Sequence, residues 1–278
     1  MRQWIGKTES ATDVVTATPY AALAATLDHA IDRPGSGVPL PPLWHWLYFL
    51  PLYRESDVGP DGHAERGGFL PPVSLPRRMW AGSQIEFSRP LCVGDAITRR
   101  STIVDVTEKS GRTGALVFVK VRHEIHRGDE SSPALVEFHD LVYRDAPAAG
   151  AAAPPPTVAP TTSLWERTIT PDPVLLFRYS ALTFNGHRIH YDCRYVTEVE
   201  GYQGLVVHGP LIATLLLDLL RREMPAADVA HFEFRAVRPL FDLKPFSVCG
   251  SPGEGKTVQL WARDSEGWLT MDATAVLR

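Results

Sequence analysis

Three cysteines in 278 residues are too few, and too far apart, to build a covalent scaffold. Cys92, Cys193 and Cys249 form no Cys-x-x-Cys pair, so neither a disulfide framework nor a zinc site is indicated, and reduced, partly buried thiols are expected. An excess of positive charge is missing too. The formal net charge of -4 and a pI near 6.2 remove the electrostatic case for nucleic acid, although local arginine clusters can still hold a small anion. Long apolar runs are also absent. Met1 to Asp13 mixes charged and polar residues, unlike a secretory leader, so the mature protein is expected to begin at Met1. The longest apolar stretch near a helix, Leu211 to Leu220, is interrupted by Thr214 and Asp218 and is too short to cross a bilayer. A cytoplasmic protein with no nucleic-acid or membrane partner is the expectation.

What is present is the balance of an ordinary globular protein, with 44% hydrophobic and 22% charged residues and length enough for two modest cores. Ala146 to Pro160 (APAAGAAAPPPTVAP) has no bulky side chain to place in a core except Val158, and its prolines stiffen it, so it reads as an extended surface linker. Domains are expected over 1–145 and 161–278, separated by the linker 146–160. The two parts echo each other. Arg89-Pro90-Leu91 and Arg238-Pro239-Leu240 each follow an alternating strand and precede another, at an offset of 149 residues, which points to an internal duplication.

Alternation of apolar and polar residues predicts strands over Leu116–Glu124 and Ala134–Tyr143, with Arg112-Thr113-Gly114 in the turn before them. A second pair is predicted over Thr257–Ala262 and Trp268–Leu277, joined by a hairpin loop at Asp264–Gly267. Pro210 to Glu223 predicts a helix, with proline in the first turn, Arg221 and Arg222 in the last, and Pro225 as a stop. It is apolar on nearly every side, so a sheet must bury it. An α+β architecture follows, in which an antiparallel sheet wraps around a central apolar helix, twice.

The chemistry concentrates in Arg178 to Leu211, which packs Asn185, His187, His190, Asp192 and His208 into a short span with glycines at 186, 201, 204 and 209. Glycine permits close backbone approach, here expected to be toward a ligand. This segment resembles the active-site region of the MaoC-like, or type 2, hydratase and dehydratase family, whose members have the hotdog fold. ALTFNGHRIHYD followed by GYQGLVVHGPL is similar to the type 2 hydroxyacyl-thioester dehydratases. GGFLPPVSLPRRMWAGSQIEFSRPLCVGD resembles the fatty-acid-synthase-like dehydratase half of such chains, which is expected to be non-catalytic. The combination most resembles the mesaconyl-CoA and itaconyl-CoA hydratases. The resemblance implies a tandem hotdog and reversible addition of water to an enoyl-CoA, with a short branched dicarboxylic acyl group. It implies no cofactor, coenzyme A being part of the acyl-CoA thioester substrate.

The family pattern has an Asp and, five residues later, a His. His190 matches the histidine and Asn185 stands at the Asp position. An amide is no base near neutral pH, so proton transfer falls on His190, with Asn185 holding the water. The thioester oxygen is expected to meet backbone N–H groups at the start of the helix, foremost Gly209, aided by the helix dipole. His208, Arg188 and His187 are further candidates for substrate contact, as are Arg77, Arg78 and Trp80 at the acyl end.

Each has a plainer reading. Asn185 also suits a turn, His208 an N-cap or packing role, Asp192 a backbone anchor, and Arg77-Arg78 an exposed basic turn. No third well-spaced ligand accompanies His187, His190 and Asp192, so no metal is expected. The aromatic run Leu43–Tyr53 suits a core or an acyl pocket. Three alternatives stay open: a fatty-acid-type 3-hydroxyacyl-thioester dehydratase, a thioesterase, and a non-catalytic acyl-thioester binder. The absence of Asp and Glu from Val206–Leu217 counts against hydrolysis. Open sheet edges lead us to expect a homo-oligomer.

Overall fold

The computed structural model describes residues 1–30, 33–111, 114–145 and 155–278. Ten strands form one antiparallel sheet. The first five are β1 (Thr8–Val14), β2 (Arg77–Phe87), β3 (Ala96–Gly111), β4 (Gly114–Arg127) and β5 (Leu135–Arg144). The others are β6 (Trp165–Ile169), β7 (Val229–Ala236), β8 (Phe246–Pro252), β9 (Thr257–Arg263) and β10 (Leu269–Leu277). Their order across the sheet is β1-β3-β4-β5-β2-β7-β10-β9-β8-β6. Read outward from the β2–β7 seam, the two halves have the same order, each strand of one matching the strand five later in the other. The seam makes the duplication concrete. Gln84 and Glu233 are 149 residues apart, the offset of the two Arg-Pro-Leu tripeptides, and they pair directly across it. Equivalent residues face each other only on a two-fold axis, so the halves are related by one there.

The predicted hairpins are present, with β4 extended at both ends and the other three strands within one residue of their predicted bounds. Gly114 opens β4, while Arg112 and Thr113 lie outside the described residues. Asp264 receives the N–H of Gly267 on its carbonyl and closes the last hairpin. Of the linker, 146–154 lies outside the described residues. Its far end is packed, since Val158 bridges Trp268 and Ala159 is buried.

Helices fill the space within the curved sheet unequally. Helix α1 (Ala17–Thr26) follows β1 and α2 (Pro173–Leu182) follows β6, and the two pack on each other. A short helix, α3 (Cys193–Glu198), leads to α4 (Gly209–Glu223). All ten residues from Leu211 to Leu220 are buried in α4, against β6, β8, β9 and β10. Each fully buried leucine contributes about 1.5–3 kcal/mol, so this helix anchors the C-terminal half. In the N-terminal half the described residues between β1 and β2 hold α1 and then two short 3-10 turns, Trp44–Leu47 and Glu55–Asp57. With no long helix on the inner faces of β2 to β5, a cavity of about 590 Å³ opens there. This is the tandem hotdog that the resemblance implies. No helix among the described residues is long and apolar enough to cross a membrane.

Candidate active site

The candidate catalytic segment starts where α2 stops. Phe184 takes the left-handed conformation (φ 49°) and the N–H of Asn185 returns to the Ser180 carbonyl. Asn185 Oδ1 then accepts the N–H of His187 at 3.1 Å. Its carbonyl oxygen thus serves the turn, and its amide NH2 is left for the cavity, on whose wall Asn185 lies. The turn and ligand-facing readings of Asn185 coexist in one side chain.

His190 is 8% exposed, lies in a 3-10 turn and is not itself among the residues lining the cavity. Its Nδ1 is 2.7 Å from the Val206 carbonyl. A carbonyl only accepts, so Nδ1 carries the proton and Nε2 is left with a free lone pair. Burial lowers its pKa to about 4, a change only partly offset by the Val206 bond, so the ring is neutral at pH 7. His208 stacks on it, with ring centroids 3.7 Å apart and planes within 17°. His208 stands at the N-cap position of α4 but makes no side-chain cap; its Nε2 instead meets Ser180 Oγ at 2.8 Å. That contact and the stack place it as a support for His190, away from the substrate role expected of it.

His187 lies edge-on to His190 at 5.4 Å, and on its other side packs against His63 at 3.9 Å. His63 comes from the N-terminal half, and its Nδ1 contacts Asp61 Oδ2 at 3.0 Å. The loop carrying it is bonded to the catalytic segment: Arg188 donates its backbone N–H to the Asp61 carbonyl and Nη1 to that of Pro60. A β-carbon on Gly62, at φ 87°, would lie 1.9 Å from the Gly186 carbonyl oxygen. The close approach that Gly186 permits is therefore to the chain itself, not to a ligand. At Gly209 the nearest atom to an added β-carbon is Met271 Cε at 4.0 Å, so space does lie over the start of α4. The neighbouring Pro210 is on the cavity wall.

The remaining candidates divide. Arg188 binds Asp192 through Nε and Nη2 and covers the Tyr195 ring, while Asp192 also caps α3. Both brace the chain, and the Arg188 guanidinium is engaged within it. Arg77 and Arg78 open β2 and do not form a turn. Arg77 pairs with Glu200 and lies over Tyr202, so its charge is already neutralised within the chain. Arg78 faces the cavity, opposite Tyr143, and forms no ion pair among the described residues. Trp80 also lines the cavity, its indole N–H bonded to the Gly82 carbonyl.

Several cavity groups escaped the sequence reading. Glu137 on β5 is buried and contacts His45 Nε2 at 3.0 Å and Trp46 Nε1 at 3.1 Å. His139 Nε2 lies 2.8 Å from its other oxygen, in contact but without hydrogen-bond alignment. Burial alone would raise this carboxyl, yet His139 and His45 hold it well below the usual range. With both oxygens engaged it is no free nucleophile for thioester hydrolysis. His63 could have been suspected from Pro60-Asp61-Gly62-His63, a turn-prone loop carrying chemistry. Nothing local links it to His187.

Asp61, His63 and His187 are also the one group among the described residues whose ligand atoms lie within 4.8 Å of one another. The imidazoles meet face to face, their planes inclined by 37°.

Burial depresses all four imidazoles of this row, His187 to about 2 and His63 and His208 below their ordinary value. Unfolded, they protonate near 6.5. The unfolded chain therefore binds more protons below that pH, and stability falls as pH drops from about 6.5 toward the folded values, by roughly 1.4 kcal/mol per pH unit for each ring held fully neutral. Urea midpoints should fall markedly between pH 7 and pH 5. Equal midpoints would contradict neutral His187, His190 and His208.

The family model for hydroxyacyl-thioester dehydratase type 2 matches residues 43–242. The mesaconyl-C(4)-CoA hydratase of Chloroflexus aurantiacus is 46% identical over 275 residues, which cover 99% of this chain and 96% of that protein. Among solved structures, a MaoC-like dehydratase from Phytophthora capsici has a TM-score of 0.71 at 14% identity, over 98% of this chain and 95% of its own. A Mycobacterium tuberculosis protein described as a double hotdog has a TM-score of 0.60 at 14% identity, over 99% and 96%. At these identities the structural likenesses concern the fold alone. The family model and the near full-length relative go further: the chain belongs to the hydroxyacyl-thioester dehydratase type 2 family.

Proposed function

We propose that this protein catalyses the reversible addition of water to an enoyl-CoA whose short acyl group carries a second carboxylate, of the mesaconyl or itaconyl type. The observation that carries the reading is His190, whose Val206 bond leaves Nε2 as the lone-pair nitrogen, five residues along the chain from Asn185, which lies on the cavity wall. Asn185 donates from its amide to the water oxygen, and His190 Nε2 takes a proton as that oxygen bonds to the β-carbon. Charge moves to the thioester oxygen, which the free N–H of Gly209 receives at the positive end of α4. The name of the 46% identical relative supports this chemistry and the dicarboxylic acyl group. Coenzyme A enters as part of the substrate, and no further cofactor takes part. The protein works in the cytoplasm as a homo-oligomer, for which the open edges β1 and β6 offer pairing surfaces.

Arg78 supports the dicarboxylic reading, as an arginine on the cavity wall with no carboxylate paired to it among the described residues. A charge-assisted hydrogen bond is worth about 1.5–3 kcal/mol. Arg78→Met should therefore lower kcat/KM for mesaconyl-CoA by roughly 10- to 100-fold and leave crotonyl-CoA, which lacks the carboxylate, nearly unchanged. Arg77→Met should not discriminate between the two. Loss of enoyl-thioester absorbance follows the reaction, and a thiol reagent detects any hydrolysis. No turnover of any short or medium enoyl-CoA by folded protein would refute the hydratase reading, and equal losses on both substrates would remove Arg78 from acyl recognition.

A further inference from the structure

The catalytic segment brings no free carboxylate to His190. Asp192, its one aspartate, is tied to Arg188 and to the backbone of Tyr195. The N-terminal half does bring one. Asp61 Oδ1 accepts the backbone N–H of His63, and Oδ2 meets His63 Nδ1, both at 3.0 Å. The carboxylate thus fixes the loop and the ring together. Since it accepts the Nδ1 proton, His63 presents a free Nε2, and the residue lies on the cavity wall with Asn185 and Arg78. The position is built, not incidental: Gly62 packs against Gly186, and Tyr53 Oη donates to the Gly62 carbonyl.

We propose that His63, held by Asp61, is a second catalytic acid–base residue, contributed by the N-terminal half, and that it serves the α-carbon while His190 serves the water. The inference rests on the hydratase reading. In hydration the water oxygen bonds to the β-carbon and its proton passes to Nε2 of His190. The π pair of the double bond moves toward the thioester and forms an enolate. The α-carbon of that enolate takes a proton from Nε2 of His63, which acts in its imidazolium form, paired with the Asp61 carboxylate. One water has then been added, His63 is neutral and His190 carries the charge. Exchange with solvent returns a proton to His63 and removes one from His190. Dehydration reverses each step, with His63 removing the α-proton.

The surroundings divide the roles. Asp61 supports positive charge on His63, against burial and the cations Arg78 and Arg66, with neutral His187 packed on its face. His190 has no carboxylate beside it and burial keeps it a neutral base. Burial lowers both imidazoles, and what distinguishes them is the Asp61 carboxylate, which favours the charged form of His63 alone and so suits it to the acid role.

The test uses the full chain, with wild type assayed first on mesaconyl-CoA. His63→Gln should lower kcat by about 10²–10⁴-fold with KM little changed, and should stop deuterium exchange at the α-carbon of the hydroxyacyl product in D2O. Asp61→Asn keeps the imidazole and removes the support for its charge. It should retain part of the activity, with the high-pH limb of the hydration profile moved to lower pH. Added imidazole should partly restore His63→Ala. A His63→Gln enzyme with wild-type kcat and α-exchange overturns the inference and leaves the hydratase reading intact. So does an Asp61→Asn enzyme with an unmoved profile, or wild-type activity that is removed by a chelator and restored by zinc. A wild type without turnover ends both.

Discussion

Replacing His190 by alanine should lower kcat for enoyl-CoA hydration by about 10²–10⁴-fold. Its single ring proton is held by the Val206 carbonyl, and stacking on His208 fixes the ring plane. Nε2 is therefore already a base before substrate arrives, and no reorganisation is needed to expose its lone pair. Asn185 cannot replace it, because an amide does not take up a proton near neutral pH. With a pKa of about 4, His190 keeps its lone pair throughout the neutral range, and its protonation should set the low-pH limb of the wild-type rate, near pH 4. That limb should vanish in His190→Gln, which retains volume and a hydrogen-bonding side chain. Circular dichroism and a melting curve establish that both variants are folded. A folded His190→Ala enzyme with more than about a tenth of wild-type kcat would move the base elsewhere.

Asp218→Ala should cost about 3–5 kcal/mol of stability. This aspartate lies on the buried side of α4, at 3% exposure, and binds Arg167, Arg221, Arg222 and His29. Arg222 and Arg167 also donate to the Leu27 carbonyl at the end of α1, so the network joins the two halves. Removing the carboxylate leaves three guanidinium groups close together with no counter-charge, a larger effect than the loss of one bond. Burial alone would raise the Asp218 carboxyl, but Arg222 and His29 bring it below its ordinary value. Its folded pKa is thus depressed, so its contribution is fully present above the unfolded carboxylate pKa and is lost as pH falls through the folded one. Urea unfolding of wild type and Asp218→Ala at pH 7 measures the difference. A loss below about 1 kcal/mol would place the network with exposed ion pairs. The site lies away from the cavity, so kcat per folded molecule should be kept.

Much of this was legible along the chain. The helix over 210–223 declared itself by Pro210, its run of leucines, and Pro225, and the structure begins it one residue earlier. The four alternating segments became strands because period-two patterning is a property of neighbouring residues. The shared Arg-Pro-Leu tripeptide already contained the two-fold relation that Gln84 and Glu233 display. Asn185 and His190 could be read together because the turn between them is local. Arg77 and Arg78 could not be separated in the same way. Read as a turn they are equivalent, but in β2 successive side chains point to opposite faces, so one meets Glu200 and the other the cavity.

Sequence alone therefore pointed to the elements, the repeat and the candidate catalytic segment, since each depends on contacts within a few residues or on a repeat. Tertiary structure decided what surrounds them. It opened the cavity where the N-terminal half has a short turn in place of a long helix. It also brought Asp61 and His63 against His187, more than a hundred residues away along the chain, because the loop carrying them folds back onto the catalytic segment at Gly62 and Gly186. Such a meeting is determined by the packing of the two halves, and no local pattern encodes it.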